Sequence, residues 1–106
     1  MVYTIDEIKE RVTPVAEKYG LRAVYLFGSY ARNEATDDSD VDLLIDRTGS
    51  SVKGMFDMGN LYHDLQESIG QDIDLVTTQM LGQKSTQVRI PAFIEAVQSE
   101  RVQIYG

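Results

Sequence analysis

Apolar residues near the start of the chain recur at intervals of three and four, the spacing of one buried helix face. These positions are Ile5, Ile8, Val12, Val15 and Tyr19. Thr4 and Glu7 match a capping box, and Gly20 is a suitable C-terminal cap. The pattern predicts an amphipathic helix that ends at Gly20. Pro14 within it favours a kink or a break into two short helices near Thr13.

Three segments after this helix have the β-branched, aromatic and apolar composition of strands. These segments are residues 22–27, 40–45 and 71–76. Residues 101–105 alternate like a fourth strand. Ser29 is placed to cap a short helix to about Ala35. Helical spacing returns between residues 52 and 70, and after a polar loop near 77–86 it returns on both sides of Pro91.

This order of elements predicts the fold class. Helices alternate with strands, so we expect an α/β domain with a mixed sheet of three or more strands flanked by helices. The 106 residues are enough for one core and too few for two, and we expect residues 1–106 to form a single domain.

Composition and charge narrow the possible functions. The chain has no cysteine, which excludes a disulfide framework, a thiolate zinc site and a cysteine nucleophile. No apolar run approaches the ~20 residues of a membrane span and no leader is evident, so we expect a cytoplasmic protein. The formal net charge of −7 disfavours direct binding to nucleic acid. A small polyanion that arrives with a divalent metal remains compatible with this charge.

Two aspartates stand at the beginning of a predicted strand that is otherwise apolar. Because side chains alternate along a strand, Asp40 and Asp42 should point to the same face, with Cα atoms about 7 Å apart. Like charges this close raise each other's pKa unless a cation lies between them. Magnesium suits the spacing, because it takes a few carboxylates and completes its shell with water and substrate phosphate.

A Gly-Ser pair precedes these aspartates by about a dozen residues. Gly28 allows the backbone to approach a ligand closely, and the N–H groups that follow it can bind an anion with help from the Ser29 hydroxyl. An anion site beside metal-binding carboxylates is the arrangement used for two-metal displacement at phosphorus. The residues therefore predict a pocket for a metal-bound phosphate chain.

A third carboxylate would complete the metal site, and the segment "DIDLV" at 72–76 offers two. Asp72 and Asp74 have the same strand parity. We prefer Asp74 because it lies deeper in an apolar strand, where an acid without a functional role is harder to explain. Asp72 follows the Gly70 turn and remains the alternative.

The stretch "GSYARNEATDDSDVDLLI" at residues 28–45 resembles the signature of the nucleotidyltransferase superfamily related to DNA polymerase beta. In detail it is similar to the minimal nucleotidyltransferases. The resemblance implies that Gly28 and Ser29 hold a nucleoside triphosphate and that the aspartate pair and Asp74 bind two magnesium ions. It further implies that Asp74 activates the acceptor hydroxyl. Arg32 matches the family arginine, and it either steadies the loop or reaches a phosphate.

One departure from the family pattern concerns the turn after the Ala-Arg pair. Asn33 stands where many relatives have glycine, so the path of this turn is not fixed by the resemblance. The rest of the motif, including the aspartates, matches without interruption.

The resemblance also implies a partner. Family members of this size lack the domain with which larger relatives bind their acceptor, so a second protein must present it. In the family this protein is often a HEPN-domain toxin, and the implied reaction transfers AMP from ATP to a tyrosine of that toxin. The alternative is an antitoxin that neutralises its partner by binding and occlusion alone. Transfer to a small-molecule alcohol is a third reading, disfavoured because no acceptor-binding domain is evident.

Overall fold

The computed structural model describes residues 2–78 and 101–106, and these residues form helices packed on a mixed sheet. The α/β class and the mixed sheet predicted from the sequence are confirmed. The elements in chain order are α1 (Ile5–Tyr19), β1 (Ala23–Phe27), α2 (Gly28–Ala31), β2 (Val41–Asp46), α3 (Met55–Ile69), β3 (Ile73–Thr77) and β4 (Val102–Tyr105). Over the described ranges, no helix has both the length and the apolar character that crossing a membrane requires.

The first helix begins at the capping box that the sequence predicts. The backbone N–H of Glu7 donates to Thr4 Oγ1 at 3.1 Å, and Glu7 Oε1 accepts from the Thr4 N–H at 3.0 Å. Of the predicted kink or break near Thr13, the break is wrong, because one helix runs through Pro14 to Tyr19. Pro14 lies on the exposed side, where water can satisfy the carbonyl group that loses its helical partner.

We expect Thr4→Ala to lower the free energy of unfolding by about 1 kcal/mol, because it removes the side-chain acceptor of the capping box. Urea unfolding followed by circular dichroism measures this loss. Glu10→Ala, an exposed change on the same helix, is the control and should alter stability by less than about 0.5 kcal/mol. Equal losses in both variants would contradict the assignment of the cap.

The sheet has the strand order β3-β2-β1-β4. β1 is antiparallel to both β2 and β4, whereas β2 and β3 are parallel. Helices α1 and α3 pack on one face, where the main core lies. The fully buried members of this core include Ile8, Val12, Val24, Leu26, Val41, Leu43, Ile45, Leu61, Leu65, Ile69 and Ile104. Apolar alternation along the strands therefore directs one face of the sheet towards these two helices.

The opposite face of the sheet carries a smaller apolar cluster. Phe27 and Leu44 are buried there, and the half-buried Tyr25 and Val76 pack against them. Asp42 follows the same alternation as Leu44, so its side chain lies on this face rather than in the main core.

Several element boundaries differ from the sequence-based predictions, and two of these differences lie beside the candidate site. α2 ends at Ala31 rather than near residue 35, because Asn33 adopts the left-handed conformation with φ of 60° and ends the helical path. Asparagine tolerates this conformation better than most residues, so it takes the place of a glycine in the turn. β2 begins at Val41, which leaves Asp40 just outside the ladder. The predicted loop near 77–86 lies mostly outside the described residues, and the predicted helices beside Pro91 lie wholly outside them.

Candidate active site

Strand register gathers the predicted site residues at one end of the sheet. Asp42 in β2 is paired with Phe27 at the end of β1 on one side and with Asp74 in β3 on the other. Gly28 follows Phe27 directly, so the Gly-Ser turn and the third carboxylate flank Asp42 from opposite sides. Asp40 precedes the ladder on the same segment, and its side chain is exposed.

The contact between Gly28 and Asp42 leaves no room for a side chain. Gly28 has φ of 71°, and a Cβ atom at this position would overlap Oδ2 of Asp42 and lie 3.0 Å from its Cγ. Close approach and the left-handed conformation both require glycine here. The Gly-Ser motif therefore fixes the position of the turn against the carboxylate, in addition to any role in binding an anion.

Asp42 is a perturbed acid. Partial burial raises its pKa to about 6, with further upward contributions from the negative charges of Asp74 and Asp40. The positive charge of Arg32 acts in the opposite direction. Asp40 and Asp74 are thus both close enough to repel the ionised form of Asp42, and a bound cation would relieve this repulsion.

We expect Asp42→Asn to stabilise the metal-free protein at neutral pH. The folded-state pKa of Asp42 lies above its ordinary value of 3.8, so ionisation opposes folding. The penalty is absent below about pH 4, grows between about pH 4 and 6, and is complete above pH 6. The variant cannot ionise and should gain about 1 kcal/mol above pH 6, once solvent screening of this half-buried group is allowed for.

Thermal unfolding in EDTA from pH 4 to pH 8 tests this expectation, with Asp38→Asn, a change at an exposed aspartate, as the control. The stability difference between Asp42→Asn and the unmodified protein should appear only as the pH rises from about 4 to about 6. A constant difference at every pH would contradict it.

The two candidates for the third carboxylate occupy different environments. Asp74 lies within β3 directly beside Asp42 in the ladder, and its side chain is exposed. Asp72 lies before the strand, and its Oδ1 accepts a hydrogen bond from Gln66 Nε2 at 3.2 Å. The geometry favours Asp74 as the member of the site, because Asp72 is engaged by helix α3.

Ser29 and Arg32 lie on the turn that follows β1. Ser29 is half-buried, and its carbonyl group accepts from the N–H of Glu34 at 2.8 Å. The Nε atom of Arg32 lies 3.2 Å from Glu34 Oε2 in an exposed ion pair. α2 has only four residues, so this turn would contact an anion through backbone N–H groups and the Ser29 hydroxyl, with little help from a helix dipole.

The donor set fits a hard divalent cation by its chemistry. Carboxylate oxygens are the ligands that magnesium prefers, and such an ion would neutralise the repulsion of Asp42 by Asp40 and Asp74. Within residues 2–78 and 101–106, no group of three or more acidic or histidine side chains converges closely enough to hold a metal ion.

Sequence reasoning did not identify one residue beside the site. Gln71 precedes β3, and its side-chain amide contacts both the α2 segment and the segment that leads into β2. The sequence contains no signal for these contacts, because they join residues more than thirty positions apart.

The glycine-serine turn packs against Asp42, Asp40 precedes it on the same segment, and Asp74 lies on the adjacent strand. This is the arrangement that the sequence predicts for a nucleotidyltransferase site. The chain belongs to the polymerase beta nucleotidyltransferase family, whose model matches residues 10–96. Protein adenylyltransferase MntA of Thermococcus cleftensis is 34% identical over 82 residues, which are 74% of this chain and 81% of that protein. MJ0435 of Methanocaldococcus jannaschii is 37% identical over 73 residues, which are 69% of this chain and 76% of that protein. Its name describes it as a protein adenylyltransferase by inference.

Solved structures agree with the fold. A chain in the crystal structure of a toxin-antitoxin with AMP-PNP superposes with a TM-score of 0.67 and 22% identity. The superposition covers 92% of this chain and 73% of that chain. At this identity the likeness establishes the fold, which is the one that the sheet order and the family match already indicate.

Proposed function

We propose that this protein transfers AMP from ATP to a hydroxyl group of a partner protein in a magnesium-dependent reaction. The observation that carries the proposal is the position of Asp42, packed against Gly28 on one side and paired with Asp74 on the other. Relatives named as protein adenylyltransferases support AMP as the transferred group and a protein as the acceptor. We further propose that residues 1–106 act as one domain, in the cytoplasm, where ATP is supplied.

Each site residue has a role in this proposal. Gly28 and Ser29 bind the triphosphate through backbone N–H groups and the serine hydroxyl, while Arg32 steadies the turn or reaches a phosphate. Asp40, Asp42 and Asp74 hold two magnesium ions. Bound magnesium would supply charge neutralisation at the phosphates and orient the reacting oxygens.

The proposed reaction is an in-line displacement at the α-phosphorus of ATP. The acceptor oxygen forms a bond to this phosphorus as the bond to the bridging oxygen breaks, and pyrophosphate leaves with the electron pair. Asp74 takes the proton of the acceptor hydroxyl, because its side chain is exposed and can be reached by a partner protein. The ionised form of Asp42 is needed to bind a cation, and above about pH 6 this form predominates.

We propose that the acceptor is a tyrosine of a HEPN-domain toxin and that AMP transfer neutralises this toxin. The fold match to a chain from a toxin-antitoxin crystal structure with AMP-PNP, an analogue of ATP, supports a toxin partner and an ATP site. A second candidate function is neutralisation by binding and occlusion. The same match supports it, because a stable complex could block a toxin without chemistry.

The experiment combines the protein with a HEPN-domain protein as the proposed partner, ATP and Mg²⁺, and measures the intact mass of the partner. We expect one or more added AMP units, located on tyrosine by fragmentation. The control variant Asp40→Asn/Asp42→Asn should bind the partner and add no mass. An unchanged mass with the wild-type protein, while the two proteins still elute together, would favour occlusion.

A further inference from the structure

One glutamine joins the three segments that carry the candidate site. The side-chain Nε2 of Gln71 donates to the hydroxyl oxygen of Tyr30 at 2.8 Å and to the carbonyl oxygen of Ser39 at 3.4 Å. Tyr30 lies in α2, Ser39 lies on the segment before β2, and Gln71 lies on the segment before β3. A single side chain therefore contacts all three segments.

Each end of this link is close in sequence to a residue of the candidate site. Tyr30 follows Ser29 directly, and Ser39 directly precedes Asp40. Gln71 itself stands three residues before Asp74. Movement of any of these segments would consequently change the relative positions of the anion-binding turn and the carboxylates.

The environment of the link favours a fixed geometry. The Tyr30 side chain is 3% exposed and belongs to the main core, so its hydroxyl oxygen needs a partner within the protein. Both N–H groups of a glutamine amide can donate, and here the amide reaches one oxygen on each neighbouring segment. Ser39 is held in turn, since its Oγ accepts from the Thr36 N–H at 2.9 Å.

The strands alone do not provide the same restraint. The hydrogen bond from the Val41 N–H to the Asp72 carbonyl at 3.1 Å marks the beginning of the β2–β3 pairing. Asp40 precedes this bond and lies outside the ladder. The Gln71 amide is the contact that extends the link between the two segments beyond the point where the ladder begins.

We propose that Gln71 is a positioning residue that aligns the Gly28-Ser29 turn, Asp40 and the strand of Asp74 for binding of magnesium and ATP. This inference rests on the proposed function for its catalytic consequence, whereas the link itself is a property of the metal-free protein. Gln71 does not act on the substrate in this proposal. It acts through Tyr30 and Ser39.

The experiment uses two variants and one matched control. Gln71→Ala removes the amide, and Tyr30→Phe removes only the hydroxyl group while it preserves the buried ring. Gln66→Ala is the control, because Gln66 is a nearby glutamine whose Nε2 donates to Asp72 at 3.2 Å without joining the three segments. Hydrogen exchange of the metal-free proteins, followed by mass spectrometry, is the first readout.

We expect amides in residues 36–42 to exchange about tenfold faster in Gln71→Ala and Tyr30→Phe, and at the wild-type rate in the control. The Mg²⁺ concentration for half-maximal ATP binding, measured by calorimetry, should rise about 10–100-fold in Gln71→Ala, the range typical of residues that orient metal ligands. The double variant Gln71→Ala/Tyr30→Phe should resemble Gln71→Ala alone, because both changes remove the same hydrogen bond.

The outcomes separate this inference from the proposed function. Wild-type exchange rates in Gln71→Ala would overturn the inference whether or not the protein transfers AMP. Faster exchange with unchanged Mg²⁺ dependence would also overturn it, because the link would then be structural only. Failure of the wild-type protein to transfer AMP would contradict the proposed function, while the exchange and calorimetric results would still decide the role of Gln71.

Discussion

Asp74→Asn is expected to lower the rate of AMP transfer at least about 100-fold while it leaves the fold intact. Asp74 is exposed and pairs with Asp42 across β2 and β3, so its substitution removes a proposed metal ligand and proton acceptor without opening a cavity. Asp72→Asn is the matched control and should change the rate by no more than about threefold. This neighbour has the same strand parity but lies before the strand and accepts from Gln66.

Transfer of radiolabelled AMP to the partner, at saturating and limiting Mg²⁺, measures both rates. Circular dichroism and thermal unfolding establish that each variant is folded. Full activity of Asp74→Asn together with loss in Asp72→Asn would reverse the assignment. Equal loss in both variants would show that the strand, rather than one carboxylate, is required.

Gly28→Ala is expected to abolish transfer and to destabilise the protein by more than about 1 kcal/mol. The added Cβ would overlap the Asp42 carboxylate and force this side chain to rotate away from its present position. The positive φ of 71° adds strain of its own for any residue with a Cβ. Both the proposed anion-binding turn and the proposed metal ligand would be displaced by one methyl group.

Gly49→Ala separates the two causes. Gly49 has φ of 74°, and a Cβ atom at this position would have no atom within 4 Å. The control should therefore lose about 1 kcal/mol of unfolding free energy through backbone strain alone. It should retain full transfer activity. If Gly28→Ala remained as active as Gly49→Ala, the close approach of Gly28 to Asp42 would have no functional importance.

The local pattern of residues was sufficient for most of the secondary structure. Hydrogen bonds of the Thr4 capping box and the apolar face of α1 depend on residues within a few positions of one another, and both appear in the structure. The predicted break at Pro14 was wrong for a tertiary reason. Packing of the buried face of α1 against the sheet and α3 holds the helix together, while the lost hydrogen bond is on the solvent side.

For the candidate site, too, some features follow from the sequence and others only from the tertiary structure. The sequence by itself determined the chemical groups, because the Gly-Ser pair and the Asp-x-Asp spacing are contained in one segment of the chain. It left Asp72 and Asp74 as alternatives, since strand parity is the same for both. The tertiary structure gives the two residues different environments. The parallel register of β2 with β3 places Asp74 beside Asp42, whereas Asp72 accepts a hydrogen bond from Gln66 of helix α3.

Only the tertiary structure reveals why Gly28 must be a glycine and which segments Gln71 joins. The contact of Gly28 with Asp42 and the hydrogen bonds of Gln71 to Tyr30 and Ser39 join segments that are distant along the chain. Local residue patterns report conformational preference and side-chain chemistry. The distance between two segments depends on strand order, register and packing, and these are fixed only when the whole core assembles.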